Sequence, residues 1–494
     1  MDTKKNYLLP IIMMILLFGM ISFVTNLAAP MGVVLKNQFG VSNAMGMLGN
    51  MANFIGYLVM GIPGGILLQR VGYKKTALIA ICIGLLGVFI QFLSGHTSHD
   101  YAFAVYILGA LVAGFSMTLL NTVVNPMLNT LGGGGNKGNQ LIQIGGSFNS
   151  VLATFTPAFV GILIGEATKA QITDVFPVMC IAMGIFALVG FVLWAVSIPE
   201  PQAEKASEPI GKLMSGAIKF RHFVLGAIGI FVYVGVEIGN PATMNLYLAE
   251  STVDKAKEWV NKNSAEYRQQ QNNPAYLTEV QAADKQGRGK SDYEVREIKK
   301  DTYERMEKIS IGKIKPGRGM DTTTAGFVAG TYWFLMLIGR LFGASVASKI
   351  SSKTMLSVAS IVAMVLVLCA IFSPTTIEVS LPVLKKLENG ALSFGSSLVP
   401  INAMFIVLVG LCTSIMWGGI YNLAVEGLGK YLAVASGIFM TLVCGGGIIP
   451  GIQAKVADIA GYLPSYWVMF AGFAYLLFYA LIGSKNVNKD IPTT

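Results

Sequence analysis

Long apolar runs broken by short polar turns set the rhythm of the chain. Twelve of them cover Leu8–Lys36, Ala44–Leu68, Thr76–Ser94, Tyr101–Leu131, Leu141–Ile164 and Val175–Ile198, then Phe220–Leu248, Thr324–Ile350, Thr354–Phe372, Leu398–Val425, Tyr431–Lys455 and Leu463–Ile482. A helix needs about 20 apolar residues to cross the hydrocarbon core of a bilayer. Open sheets leave backbone groups unpaired in lipid, and barrel strands would alternate apolar with polar, so each run predicts a spanning helix. The expected fold class is an all-α membrane protein of twelve transmembrane helices in two six-helix bundles. The boundaries follow from two polar stretches: a first bundle over residues 1–198, a cytoplasmic linker over 199–219, and a second bundle over 220–485 carrying an insertion at about 250–322.

Composition agrees with the pattern. Only 13% of the residues are charged and 53% are hydrophobic, whereas a soluble domain carries about 25% charged residues. The net charge of +10 is mostly topological. Arg70, Lys74 and Lys75 follow the second run, Lys349 and Lys353 the eighth, and Lys205, Lys212, Lys219 and Arg221 lie in the linker. All fall on one side, which the positive-inside rule makes cytoplasmic; both termini then face the cytoplasm across the inner membrane. The lipid bilayer, not nucleic acid, is the partner this charge implies. The first run follows MDTKKN but is too long for a signal peptide and is read as a retained helix.

Catalytic and cofactor chemistry finds no footing. Cys82, Cys180, Cys369, Cys412 and Cys444 lie inside runs without metal-ligand spacing, and His96, His99 and His222 sit at run ends. No cofactor or metal is expected. Gly132 to Gly135 lack the Lys-Ser or Lys-Thr and the preceding strand of a phosphate cradle. An enzyme is not expected, because no midspan acid pair or nucleophile with a base appears.

A weak internal echo supports duplication. MGIPGGILLQRVGYKKTAL, Met60 to Leu78, and MLIGRLFGASVASKISSKTML, Met336 to Leu356, each place glycines, a basic turn and a new helix in that order. Parallel six-helix halves are the plan of major-facilitator transporters, whose substrates bind near the midplane between the halves. Gly65, Gln69, Arg70, Gly72, Lys74 and Lys75 resemble that superfamily's loop motif, with Gln69 where an aspartate is usual. The resemblance implies a gate role for Arg70, Lys74 and Lys75, with Arg340 a further gate candidate. The insertion, with segments such as STVDKAKEWVNKNSAEY, predicts short helices outside the cytoplasm, as either a lid or docking surface or a solvated elaboration.

Further motifs resemble the fucose:proton symporter family of the same superfamily. They are NPMLNTLG with GSFNSV between Asn125 and Val151, FVYVGVE at Phe231 to Glu237, SIMWGGIYNLAVEGLG at Ser414 to Gly429, and CGGGIIPGI at Cys444 to Ile452. The resemblance runs over both halves outside the insertion and implies import of a monosaccharide driven by a cation gradient, proton or sodium. Two acids of the fucose transporters are absent: Ala29 and Asn121 occupy their positions.

Glu237 is the acid at the centre of a run. An ionised carboxylate in hydrocarbon is costly, so it must face a cavity, pair, or take up a proton. It is therefore a candidate ion-coupling or sugar-binding group, or alternatively half of a fixed ion pair with Arg340. For a sugar cavity the polar and aromatic midspan candidates are Asn26, Asn121, Asn125, Gln143, Asn149, Tyr233, Asn240, Trp417, Tyr421 and Asn422; each amide has helix-to-helix bonding as its alternative role. Gly418 and Gly419 replace the family's Pro-Thr and predict open space or flexibility beside Trp417 and Tyr421. Gly445, Gly446 and Gly447 with Pro450 predict a bendable eleventh helix. The expected function is cation-coupled sugar import by alternating access; the alternatives are a transporter of a non-sugar solute or a nontransporting membrane sensor.

Overall fold

The computed structural model describes residues 7–39, 48–164, 171–200, 209–249, 318, 320, 322–386 and 392–487. Nearly all of the 250–322 insertion lies outside the described residues.

Twelve long helices form at the apolar runs. In the first half they are α1 (Leu8–Phe39), α2 (Leu48–Val71), α3 (Tyr73–Ser94), α4 (His99–Leu131), α5 (Gly135–Ile164) and α6 (Phe176–Ala195). A short helix, Ile210–Ile218, lies between the halves. The second half holds α7 (Arg221–Ala249), α8 (Thr322–Val346), α9 (Ser352–Phe372), α10 (Ile401–Thr413 continued by Met416–Val425), α11 (Leu432–Thr441 and Gly445–Ala460, joined by a 3₁₀ turn at Leu442–Cys444) and α12 (Tyr462–Phe478). Among the described residues eleven are long and apolar enough to cross a membrane. The remaining one, α5, opens with Asn136, Lys137, Asn139, Gln140 and Gln143, of which Asn139, Gln140 and Gln143 meet the other half of the molecule.

Within the first half α4 packs on α2 and α3, α1 on α5, and α6 on α3; within the second, α7 packs on α10, α11 and α12, while α9 packs on α10 and α12. The halves touch where α2 crosses α11 and where α5 meets α8 and the second part of α10. At the α2–α11 crossing both backbones are bare. A Cβ on Gly65 would lie 2.8 Å from the Gly437 Cα, and one on Gly437 would lie 2.6 Å from the Gly61 carbonyl oxygen. Glycine is what permits this approach, and dispersion over the close surfaces holds it.

Successive helices run in opposite directions. The turns at Gly72, Gly132–Gly135, Ala347–Ser351 and Glu426–Leu428 therefore share one face with the helix Ile210–Ile218, here called the linker face. The opposite face differs from the sequence expectation. Leu398 lies in a hairpin, β1 (Glu378–Lys386) paired antiparallel with β2 (Leu392–Pro400), and α10 starts only at Ile401. Alternate residues Leu381 and Val383 are buried with Val399, and β1 packs on α8. The period-two signal was present in Val379, Leu381 and Val383 and in the Asn389-Gly390 pair that favours tight hairpins.

The α2–α3 turn is locked within the first half. Gly72 has φ +83°, where a side chain would be strained, and a Cβ there would sit 2.7 Å from Glu200 Oε2. The Glu200 carboxylate accepts the amides of Tyr73 (2.7 Å) and Lys74 (3.1 Å), so an anion caps the positive end of α3. In the other direction Lys74 Nζ donates to the carbonyls of Trp194 (2.9 Å) and Val196 (2.7 Å) at the negative end of α6.

Candidate functional site

The charged centre forms where α5, α7, α8 and α10 converge. Glu237 on α7 and Arg340 on α8 are the buried carboxylate and guanidinium among the described residues. Arg340 Nη2 donates to Glu237 Oε1 at 3.2 Å. Tyr233, one helical turn before Glu237, donates its hydroxyl to the same oxygen at 2.9 Å and lies 3.1 Å from the Thr413 carbonyl. The Thr413 hydroxyl in turn meets the Tyr332 hydroxyl at 2.9 Å.

Arg340 also crosses to the first half. Its Nη1 donates to the Gly146 carbonyl (3.0 Å) and the Ser150 hydroxyl (2.7 Å), both on α5. Its Nε donates to the Ser414 carbonyl of α10 at 3.3 Å, and Nη2 approaches Met336 Sδ at 3.9 Å. A guanidinium has five N–H groups, and here each has an acceptor. The ion-pair alternative stated for Glu237 is thus the geometry seen, and the arginine neither extends toward the surface nor joins the basic turn. Removing one partner of such a pair leaves an uncompensated buried charge, worth about 3–5 kcal/mol.

Toward the linker face, neutral amides join the halves. Trp417 Nε1 donates to Asn125 Oδ1 at 3.0 Å. Asn129 Nδ2 donates to Asn422 Oδ1 at 2.8 Å, and Asn422 Nδ2 passes the chain to Ser352 Oγ at 3.0 Å. Gln143 Nε2 donates to the Ile415 carbonyl (2.8 Å) and Gln140 Nε2 to the Ala344 carbonyl (3.2 Å). Gly418 carries a correction. Rather than opening space, its bare Cα receives α5: a Cβ there would lie 2.8 Å from both Asn139 Oδ1 and Gln143 Nε2. Gly419 makes only ordinary contacts, with the Ser352 carbonyl and Leu356.

Other nominated residues serve their own half. Asn121 donates to the Tyr57 hydroxyl (2.6 Å) and accepts from Asn125 (3.3 Å). Asn149 Nδ2 donates to the Phe18 carbonyl (3.1 Å), and Asn26 Nδ2 to the Ser22 carbonyl (2.8 Å), tying α1 and α5 together through the Ser22 hydroxyl on the Asn149 carbonyl (2.6 Å). Tyr421 is fully buried, bonded to Ser436 at 2.9 Å. Asn240 donates to the Val236 carbonyl at 2.7 Å. Tyr233, Trp417, Phe439 and Tyr421 form an aromatic row, with successive centroids 6.2, 6.4 and 5.1 Å apart. Arg70 and Lys75 are exposed, and with Lys74 they lie at the α2–α3 turn, away from Arg340. Sequence reading passed over Asn129, Gln140, Ser150, Ser352 and Thr413. The visible signal was the polar run opening α5; the partners depend on helix rotation and crossing, which periodicity does not give.

Comparison with known proteins accords with this architecture. A profile of the Major Facilitator Superfamily matches residues 11–252. Over 492 residues the chain is 26% identical to a glucose/galactose transporter of Brucella abortus, covering 98% of this chain and 96% of that protein. It is 20% identical to the L-fucose-proton symporter of Escherichia coli over 517 aligned positions, covering 98% and 95%. Among solved structures, a variant of the Escherichia coli fucose:proton symporter superposes with a TM-score of 0.70 at 16% identity, covering 98% of this chain and 100% of that one. A structure of such a transporter in the outward conformation also gives 0.70, at 17% identity, covering 97% and 100%. With its long helices in the same arrangement over nearly the whole chain, the protein has the twelve-helix fold of these transporters and is similar to the major facilitator superfamily over its first half.

Proposed function

We propose that the chain is a cation-coupled secondary transporter that imports a monosaccharide across the inner membrane by alternating access, with both termini cytoplasmic. The observation that carries this reading is the placement of Arg340. One buried cation is bonded at once to the carboxylate of its own half, Glu237, and to α5 of the other half through Gly146 and Ser150. A change in the charge of Glu237 is then felt directly at the seam between the halves. Relatives named as glucose/galactose and fucose transporters support the substrate class. Arg70, Lys74, Lys75, Lys137, Lys349 and Lys353 at the linker face support a cytoplasmic linker face.

In this reading the amide bonds and the α2–α11 glycine contact close the linker face, and the site opens to the opposite side. Sugar and cation enter there. Neutralising Glu237 weakens its hold on Arg340, the seam loosens, and the halves rock to expose the site to the cytoplasm. Asn26, Asn149, Gln143 and Trp417 are the proposed sugar contacts, the indole offering a face to the C–H side of the ring.

The test is uptake of labelled glucose, galactose and fucose into proteoliposomes under separately imposed proton and sodium gradients. Accumulation of a sugar under one gradient fixes substrate and ion together. If no sugar accumulates under either, the substrate class is wrong.

A further inference from the structure

The two members of the central ion pair differ in what they have left to offer a ligand. Arg340 has none of its donors to spare: its five N–H groups point at Ser414, Gly146, Ser150, Glu237 and Met336. To meet an anionic ligand it would have to drop bonds to α5 or α10. Glu237 is half used. Its Oε1 takes both Arg340 and Tyr233, while Oε2 takes no hydrogen bond among the described residues and is not sealed from solvent. The two side chains are about equally enclosed, Glu237 keeping 11% of its surface and Arg340 10%, so they differ in unused bonding capacity and not in burial.

The neighbouring amides repeat the asymmetry. Asn26, Asn149 and Gln143 each spend an N–H on a protein carbonyl, while their side-chain oxygens take no bond among the described residues. The Trp417 indole N–H is held by Asn125. What the described bonds leave unused is four side-chain oxygens, one of them charged, against one N–H each on Asn149 and Gln143.

We infer that this site admits cationic amino sugars alongside neutral hexoses and turns away sugar acids and sugar phosphates. The inference rests on the sugar-transport reading and sharpens it. A hydroxyl or an ammonium donates to Glu237 Oε2 and the amide oxygens. A carboxylate or phosphate brings only acceptors, meets mainly acceptors, and finds the donors of its one natural partner already bonded. Burying such a group unpaired is strongly unfavourable.

The experiment is titration calorimetry on the purified full chain at neutral pH with glucose, galactose, glucosamine, glucuronate and glucose 6-phosphate. In the wild type, glucosamine should bind within about tenfold of the better neutral hexose, or tighter. Glucuronate and the phosphate should bind weaker by roughly a hundredfold or more. Glu237→Gln leaves the charge of Arg340 without its counterion, so glucosamine should weaken and glucuronate gain, inverting their order. A variant lacking both charges, Glu237→Gln with Arg340→Gln, should bring the two within about tenfold of each other. Glucuronate binding the wild type as tightly as a neutral hexose would overturn the inference. So would a ranking that Glu237→Gln leaves unchanged, because a purely structural carboxylate has no reason to invert a charge preference. Failure of both neutral hexoses to bind would be a different result, sinking the transport reading first and this inference with it.

Discussion

Glu237→Gln keeps the shape of the side chain and an oxygen for Tyr233, and removes only the titratable charge. If that charge carries the coupling, the variant should exchange internal for external sugar at a rate within a few-fold of wild type and fail to accumulate sugar against a gradient. Parallel exchange and gradient-driven assays in the same vesicles check this; normal accumulation would remove Glu237 from the coupling role. Truncating Arg340 alone should be harsher, at about 3–5 kcal/mol of stability, because it strands the carboxylate and removes three further hydrogen bonds, two to α5 and one to α10; thermal unfolding in detergent reads the difference. Both charges stood out in the sequence because each interrupts an apolar run. Their pairing was one of several open alternatives, since run boundaries give depth in the membrane only loosely and helix facing not at all. The fate of the amides was less legible still. An asparagine in a span reads the same whether it meets a ligand, a backbone carbonyl as Asn149 does, or a partner amide as Asn129 does.

At the scale of elements, the α2–α11 crossing is the contact most sensitive to a single methyl. Gly437→Ala would drive a Cβ into the Gly61 carbonyl and the Gly65 backbone, and overpacking of this kind costs about 1–3 kcal/mol. Because the contact joins the halves on the linker face, the cost falls on that closed state. The variant should therefore shift toward exposure of the linker face, seen as faster thiol labelling of a cysteine introduced at Asn129. Unchanged labelling would mean the crossing does not report on opening. Helices were legible as elements because lipid allows few alternatives. The hairpin after α9 was missed because the apolar end of β2, Leu398-Val399-Pro400, runs straight into α10. The breaks in α10 and α11 were partly visible: Pro450 and three glycines mark α11, but nothing comparable marks Ser414, where α10 turns to offer its carbonyl to Arg340.

At the scale of the molecule, the halves are closed on one side by neutral bonds. A cysteine pair at Asn129 and Asn422, whose terminal amide atoms meet at 2.8 Å, should be bridged by a short bis-methanethiosulfonate reagent and stop uptake, with recovery on reduction. Continued transport by the crosslinked protein would show that these helices need not separate. The six-plus-six plan was readable from the run count and the polar linker. The seam was not, because it is built from residues distant in the chain, such as Gln143 with Ile415.

The central pair also bears on voltage. With Glu237 ionised against Arg340, the pair carries no net charge, and the bonds that close the linker face are uncharged as well. A membrane potential therefore does little work on the empty carrier as it returns. In the proposed cycle with a proton as the coupling ion, neutralising Glu237 leaves a single positive charge on Arg340, and the field acts on it with about 2.3 kcal/mol per 100 mV for full transit. Potential should accordingly act on the loaded stroke and leave the empty return unchanged, so that imposing a potassium diffusion potential raises net uptake and also alters sugar exchange, which cycles only the loaded carrier; exchange that stays flat would place the moving charge elsewhere.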